Sequence, residues 1–246
     1  MILIYFLIQS SFAFFDLQYG AQARTFPMLG GEIFTETGYN FLVWGEKKDK
    51  NPFYGFIRPN IKANLSGVVN SASAEFEIYP VSFIGLSAGS EYTDSQFDFP
   101  FFDCDEIQCR GQLKRSFVQS KMALGFKGII STINLKTDYI DHSVNSRDYG
   151  DFRKGMRGHQ GHDILFEKRW VLGKTFEDKM VGVMFEESHY EISEDRNHTS
   201  MVIYQFKNGQ NTYVFGAGKF ETKEVGLGHI VVFRWQFDEI KSLRLF

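Results

Sequence analysis

Cysteine and proline are scarce in this chain, two and five among 246 residues. The two cysteines, Cys104 and Cys109 in "FFDCDEIQCRG", lack the two further ligands at matching spacing that a closed zinc site needs. His159 and His162 also have no convincing further ligands, so no metal and no cofactor is expected. Charge of one sign is missing too: a formal net charge of −3 gives no reason to expect a nucleic-acid partner or a solvating acidic tail. Beyond the N-terminus no window is continuously apolar for the length a spanning helix requires. The apolar run Ile2 to Phe15 is itself too short to span, and Ser11-Phe12-Ala13 offers small residues where a signal peptidase cuts. It reads as a secretory signal over residues 1–13, although no Lys or Arg precedes it, and a buried first strand or helix is the competing reading. In an exported chain the cysteine pair is most simply a small disulfide loop.

Aromatics and glycine are abundant instead: 27 Phe, 11 Tyr and 23 Gly. With a mean hydropathy of −0.24 they suit a chain of many strands whose alternating pattern hides its apolar content. In "HIVVFRWQF", Val231, Phe233, Trp235 and Phe237 fall on one face of a strand, and Arg234 and Gln236 on the other. "FFDLQYGAQAR" sets Phe15, Leu17 and Tyr19 against Asp16, Gln18 and Arg24. "FYGFIRPNIKANL" sets Ile57, Ile61 and Leu65 against Arg58, Asn60 and Lys62, with Pro59 marking a bulge or a weakly paired site. Strands are expected near 14–24, 32–44, 53–66, 71–79, 82–93, 112–126, 129–142, 162–172, 179–190, 200–207, 211–221 and 228–238. That is about twelve, with ten or fourteen as neighbouring counts. The turns "GEKKDKN", "YPVS", "FKG", "GKTFEDK" and "KNGQ" are short and fall at one end, while "DSQFDFPFFDCDEIQCRG" and "SVNSRDYGDFRKGMRG" lengthen the other. A soluble sandwich has no reason for that asymmetry; a sheet closed on itself in lipid does.

The signal-like start, the alternating strands, the turn asymmetry, the aromatic last strand and the terminal Phe246 together resemble a Gram-negative outer-membrane β-barrel over essentially the whole mature chain. The resemblance implies an all-β, antiparallel up-and-down barrel over residues 14–238 in the bacterial outer membrane. It implies contact with outer-membrane lipid and lipopolysaccharide, and insertion by the barrel-assembly machinery. "DEIKSLRLF" breaks the alternation, so residues 239–246 are read as a periplasmic tail. Homo-oligomers are common among such barrels.

Strand parity turns a set of charges of both signs inward: Asp16, Arg24, Glu32, Glu36, Arg58, Lys62, Glu75, Glu77, Lys121, Lys136, Asp138, Glu167, Arg169 and Arg234. Such a lumen either carries water and small polar solutes or pairs its charges and fills itself. The favoured expectation is a passive, porin-like diffusion channel, and a pore-less structural or assembly barrel is the alternative. The acidic, aromatic loop around Cys104 is placed at the mouth, either folded inward, turned outward or capping. The second loop, with Arg147, Arg153, Lys154 and Arg157, suits a basic patch against lipopolysaccharide phosphates. A lipid hydrolase is the remaining alternative. His198 and Ser200 share the outward face near the outer rim, and Glu187 or Glu221 is the orienting group. Ser200 is followed by "MVIY", without the Asn and Gly context of the outer-membrane phospholipases.

Overall fold

The structure, a computed structural model, describes residues 13–27, 29–45, 52–143 and 147–240. Twelve strands form one closed barrel: β1 (Ala13–Arg24), β2 (Gly30–Gly45), β3 (Tyr54–Leu65), β4 (Val69–Val81), β5 (Ile84–Ser95), β6 (Gly111–Phe126), β7 (Ile129–His142), β10 (His162–Phe176), β11 (Lys179–Tyr190), β12 (Arg196–Asn208), β13 (Asn211–Thr222) and β14 (Gly226–Ile240). Two short strands, β8 (Tyr149–Asp151) and β9 (Met156–Gly158), pair with each other inside the β7–β10 connection. Every barrel strand is antiparallel to its chain neighbour, and β1 closes on β14 in a register that sets Tyr19 opposite Phe237 and Ala21 opposite Trp235. These are the twelve strands that the alternation predicts.

Closure follows from what lipid denies the backbone. An open edge would leave a row of N–H and C=O groups that hydrocarbon cannot satisfy. One end carries tight turns. Lys127 and Gly128 both have positive φ (48° and 76°), and Gly209 turns β12 into β13 with φ 61°, the left-handed geometry that two-residue hairpins require. The opposite end carries the 96–110 and 143–161 connections. Three sequence boundaries shift. β10 runs on to Phe176, leaving a two-residue turn at Glu177-Asp178, because Lys174 and Thr175 continue the pairing with β11 and no breaker intervenes. Pro80 lies within β4, where the β4–β5 register slips between Ile78 and Val81, so its missing N–H is absorbed at an irregularity. β12 begins at Arg196 rather than at 200. At Pro59 the β2–β3 register is kept and no bulge forms, but the ladder skips Pro59 and Arg58, which is the weakly paired site of the two expectations. The partners on either side are Gly38–Asn60 and Phe41–Ile57, and Pro59 pairs Phe76 on β4. β14 includes two residues of the expected tail. The remainder, with Phe246, and residues 1–12 of the expected signal lie outside the described residues.

The two faces of the sheet differ as the parity requires. Phe76, Leu86, Val118, Leu135, Val202 and Phe233 are exposed on the outside, where a soluble protein would not leave them together. Inside, the wall divides. On β1–β7, and at Glu167 and Arg169 of β10 and Glu186 of β11, it is charged, whereas Met184 of β11, Met201 and Ile203 of β12 and Ile230 and Val232 of β14 form an apolar cluster. Glycines make room for it. A Cβ on Gly216 would stand 2.7 Å from the Met201 sulfur, and one on Gly218 would stand 2.0 Å from the Ser200 carbonyl oxygen. Replacing Gly218 by Val therefore forces β12 and β13 apart and should cost about 1–3 kcal/mol of barrel stability, read as a lowered urea midpoint in vesicles. Gly31→Ala, where a Cβ meets only a carbonyl at 3.5 Å, should leave that midpoint unchanged.

Candidate functional site

The lumen is the site, and strand parity builds it. Arg58 enters from β3 with its side chain fully buried (0% exposed) and is surrounded by carboxylates from three other strands. It donates to Asp16 of β1 at 2.6 and 2.8 Å, and pairs with Glu36 of β2 at 3.0 Å and Glu77 of β4 at 2.9 Å. Lys121 of β6 extends this network to Glu77 at 2.8 Å and to Glu75 at 3.5 Å. A second network lies across the barrel. Lys136 of β7 pairs with Asp138 and reaches Glu167 of β10 at 3.6 Å, while Arg169 holds Glu186 of β11 at 2.6 Å. Although it faces inward, the Arg169 side chain is 49% exposed, so the lumen at its depth is open to solvent.

Between the two networks stands a segment that sequence reasoning put on the outer surface. The β8–β9 hairpin turns into the barrel and is held from nearly every side. Asp151 accepts from Arg115 of β6 at 2.8 Å and from the Tyr190 hydroxyl of β11 at 2.9 Å. Arg153 reaches Glu91 of β5 at 3.1 Å, Ser71 of β4 at 2.7 Å and Glu32 of β2 at 3.8 Å. Its neighbour Lys154 points the opposite way, to Glu167 and, at 2.9 Å, to Glu186. Arg24 of β1 donates to the Phe152 and Arg153 carbonyls, and Asn197 of β12 donates to that of Lys154. Burial alone would lower the Lys154 pKa, but the Glu167 and Glu186 carboxylates outweigh it and hold the ammonium above the ordinary lysine value. The basic patch expected to meet lipopolysaccharide phosphates is thus turned inward at Arg153 and Lys154. Arg157 pairs with Asp148 at 2.8 Å, and Arg147 donates to the Asp105 carbonyl.

The Cys104 loop sits above this hairpin. Cys104 and Cys109 are joined, with Cα atoms 5.4 Å apart. Phe99 and Phe102 pack on Phe152, the first at a ring distance of 3.8 Å. Gln108 bridges the two loops by donating its N–H to the Asp148 carbonyl at 2.7 Å and accepting from Gly150 at 3.1 Å. Asp98 stands near both sulfurs, yet a disulfide offers no thiolate to a metal, and Asp98 is engaged by Arg110.

Of the expected lumen residues, Asp16, Glu36, Arg58, Glu75, Glu77 and Lys121 form the first network, and Lys136, Asp138, Glu167 and Arg169 the second. Arg24 and Glu32 hold the hairpin, Arg234 lies over the Phe34 ring at 4.6 Å, and Lys62 faces the lumen from β3 on the Arg58 side of the strand. Glu91, Arg115 and Glu186 are lumen residues that sequence reasoning missed. Parity with Leu86 and Ala88 pointing outward would have found Glu91, but Ser90, Lys114 and Glu187 make the outer face polar there as well. On the outer wall His198 and Ser200 do face outward, with Glu187 and Glu221 as the strand partners of His198 on either side. No hydrogen bond joins His198 to Ser200 or to either glutamate among the described residues.

No protein-family model and no curated protein matches the chain. Solved structures do match its fold. An outer-membrane channel from Pseudomonas putida F1 superposes with a TM-score of 0.50 at 10% identity, over 95% of this chain and 97% of that one. The KdgM porin gives 0.48 at 8% identity over 90% and 98%. The β domain of the Bordetella autotransporter BrkA gives 0.44 at 7% over 92% and 98%. The closed twelve-strand barrel, its apolar outer wall and its polar interior define an integral β-barrel of the bacterial outer membrane. Its fold is the one that the outer-membrane channel from Pseudomonas putida F1 has.

Removing the hub of the first network leaves Asp16, Glu36 and Glu77 facing one another without their shared cation. Arg58→Met should therefore destabilise the barrel by about 3–5 kcal/mol, measured by urea unfolding in lipid vesicles followed by tryptophan fluorescence.

Proposed function

We propose that the chain is a passive diffusion channel for small polar solutes or ions, narrowed on its outer side by the β8–β9 hairpin. The observation that carries the reading is the pair Arg153 and Lys154. Adjacent in sequence, they reach opposite charged walls of one lumen that is wet below them at Arg169. A barrel that needed only stability would gain more from apolar packing than from so many desolvated ion pairs. A wet interior with charges of both signs is what a polar solute can cross. The hairpin reduces the cross-section and leaves the solute to pass beside fixed charges. Lipid and lipopolysaccharide around the wall, insertion by the barrel-assembly machinery and a possible homo-oligomer are parts of the same proposal.

Single-channel recording in planar bilayers tests it. The refolded protein should show small, steady openings, and Arg153→Gln with Lys154→Gln should raise the conductance several-fold by freeing the hairpin. The Lys154 contribution is fully present below the ordinary lysine pKa near 10.5 and is lost only as pH rises through its higher value in the barrel. Raising the pH from 7 to 10 should therefore leave the small conductance in place. Silence from both proteins, once shown to be inserted, would instead assign a packed structural barrel. Release of lipid acyl chains that Ser200→Ala abolishes would assign the hydrolase.

A further inference from the structure

The 96–110 and 143–161 connections are separated in the chain by β6 and β7, yet they fold as one body. Gln108 donates its N–H to the Asp148 carbonyl at 2.7 Å and accepts from the Gly150 N–H at 3.1 Å, so it extends the β8–β9 pair at one edge. Arg147 donates to the Asp105 carbonyl at 2.8 Å. Phe99, Phe102, Ile107 and Cys109 form an apolar cluster with Phe152. A Cβ on Gly150 would stand 3.0 Å from the Phe102 ring and 3.5 Å from Ile107, so the loop lies directly against the hairpin backbone. Phe152 immediately precedes Arg153 and Lys154. The cluster therefore sets the depth from which those two reach the lumen walls.

The residues that touch the hairpin backbone, Ile107 and Gln108, and the Asp105 carbonyl all lie between the two cysteines. Asp103 accepts from the Glu106 and Ile107 N–H groups at 3.1 and 2.9 Å. This turn and the Cys104–Cys109 bond send the chain back so that Ile107 and Gln108 meet the hairpin. Among the described residues the connection forms no helix or strand of its own; turns and the single bridge at Gln108 hold it. A loop with so few hydrogen bonds keeps one conformation only while a cross-link limits the alternatives. The two sulfurs differ in access. Cys104 is half-buried at the loop surface, whereas Cys109 is buried in the apolar cluster. The chain has no other cysteine, so a dithiol acts at this bond alone.

We propose that the Cys104–Cys109 disulfide is the latch of the β8–β9 constriction, and that a dithiol reaching it from the outer side loosens the hairpin in the lumen. A thiolate of the dithiol attacks the Cys104 sulfur, the S–S bond breaks, and Cys109 leaves as a thiolate that takes up a proton. The second thiol then displaces Cys104 in the same way. The dithiol departs as a cyclic disulfide, having given up two electrons and two protons, and both cysteines end as thiols. Ile107 and Gln108 then part from Gly150 and Tyr149, and Phe152 loses its cover. The tip is left with the side-chain pairs of Asp151, Arg153 and Lys154 and the bonds from Arg24 and Asn197. In a partly wet lumen such bonds exchange with water once nothing holds the hairpin base, so the constriction opens more often.

The latch rests on the reading of the lumen as a passage only for its effect on conductance, so two measurements test it. Folded, disulfide-bonded protein in lipid nanodiscs is divided, one half is reduced with dithiothreitol and desalted, and both halves are treated with trypsin, the cuts being located by mass spectrometry. Reduction should speed cutting after Lys154 and Arg157 several-fold. Gly150→Val, which pushes Phe102 away without touching a cysteine, should do the same in the disulfide-bonded protein. Arg110→Gln, which removes only the exposed pair with Asp98, should not. In planar bilayers the same reduction should add larger openings to the small ones. Faster cutting confined to Arg110, with the hairpin still protected, overturns the proposal, as do conducting channels whose openings reduction leaves unchanged. Silent bilayers together with faster cutting of the hairpin keep the latch and remove the passage reading instead.

Discussion

The hydrogen bonding of β1 to β14 is the contact on which the rest of the molecule depends. With it, every strand has a partner on each side, and no edge is presented to lipid, which supplies no donors or acceptors. The same closure fixes the parity of the whole wall. Once Phe233 faces outward, Arg234 must face inward, and a one-residue slip anywhere would exchange lipid-facing and lumen-facing sets along that strand. The cost of such a slip, with charges entering hydrocarbon and phenylalanines entering a charged lumen, makes the register unique despite many weakly hydrophobic strands.

Closure also creates the problem that the interior solves. A barrel of this size encloses more space than short side chains fill, and charged groups placed there lose much of their water. The protein meets this in two ways. On β1–β7 buried cations are paired with carboxylates, Arg58 with Asp16, Glu36 and Glu77 and Arg115 with Asp151 of the hairpin. On β11–β14 methionine and isoleucine lie over glycine instead, while Glu167, Arg169 and Glu186 on β10 and β11 keep to ion pairs. The β8–β9 hairpin belongs to both solutions. It brings its own charges, Asp151, Arg153 and Lys154, to places where the wall has left opposite ones. A segment held by ion pairs in a partly wet lumen depends on charge in a way that an apolar plug would not, which is why charge substitutions there report on passage.

The alternation made the strands and the closed sheet legible, because lipid on one side and water or ion pairs on the other enforce period two along most of the chain. It fails where the two sides are alike. The start of β12 was placed four residues late because "RNHTS" is polar on both faces: Asn197 and Thr199 point in, His198 and Ser200 point out. Glu91 and Arg115 escaped for the same reason, having Ser90, Lys114 and Ser116 as neighbours on the other face. The destination of the second loop was not legible at all. Arg153 and Lys154 beside Gly155 look like an ordinary basic surface, and only partners distant in sequence, Glu32, Glu91, Glu167 and Glu186, determine that the loop turns inward. Pairing across so many intervening residues leaves no local signature.

The positions where alternation breaks on the outer wall carry a different lesson from those inside. A polar residue at a lumen position is expected; a charged one at a lipid position has to be compensated or to lie at the interface. Lys114, Asp141, Glu187, His198, Lys219 and Glu221 all lie within four residues of the outer ends of β6, β7, β11, β12 and β13. Solvation at a headgroup layer accounts for such residues, since there a charge facing outward keeps its water. Lys168, seventh from the outer end of β10, lies deeper than the others, and its register partner Glu187 sets the opposite charge beside it.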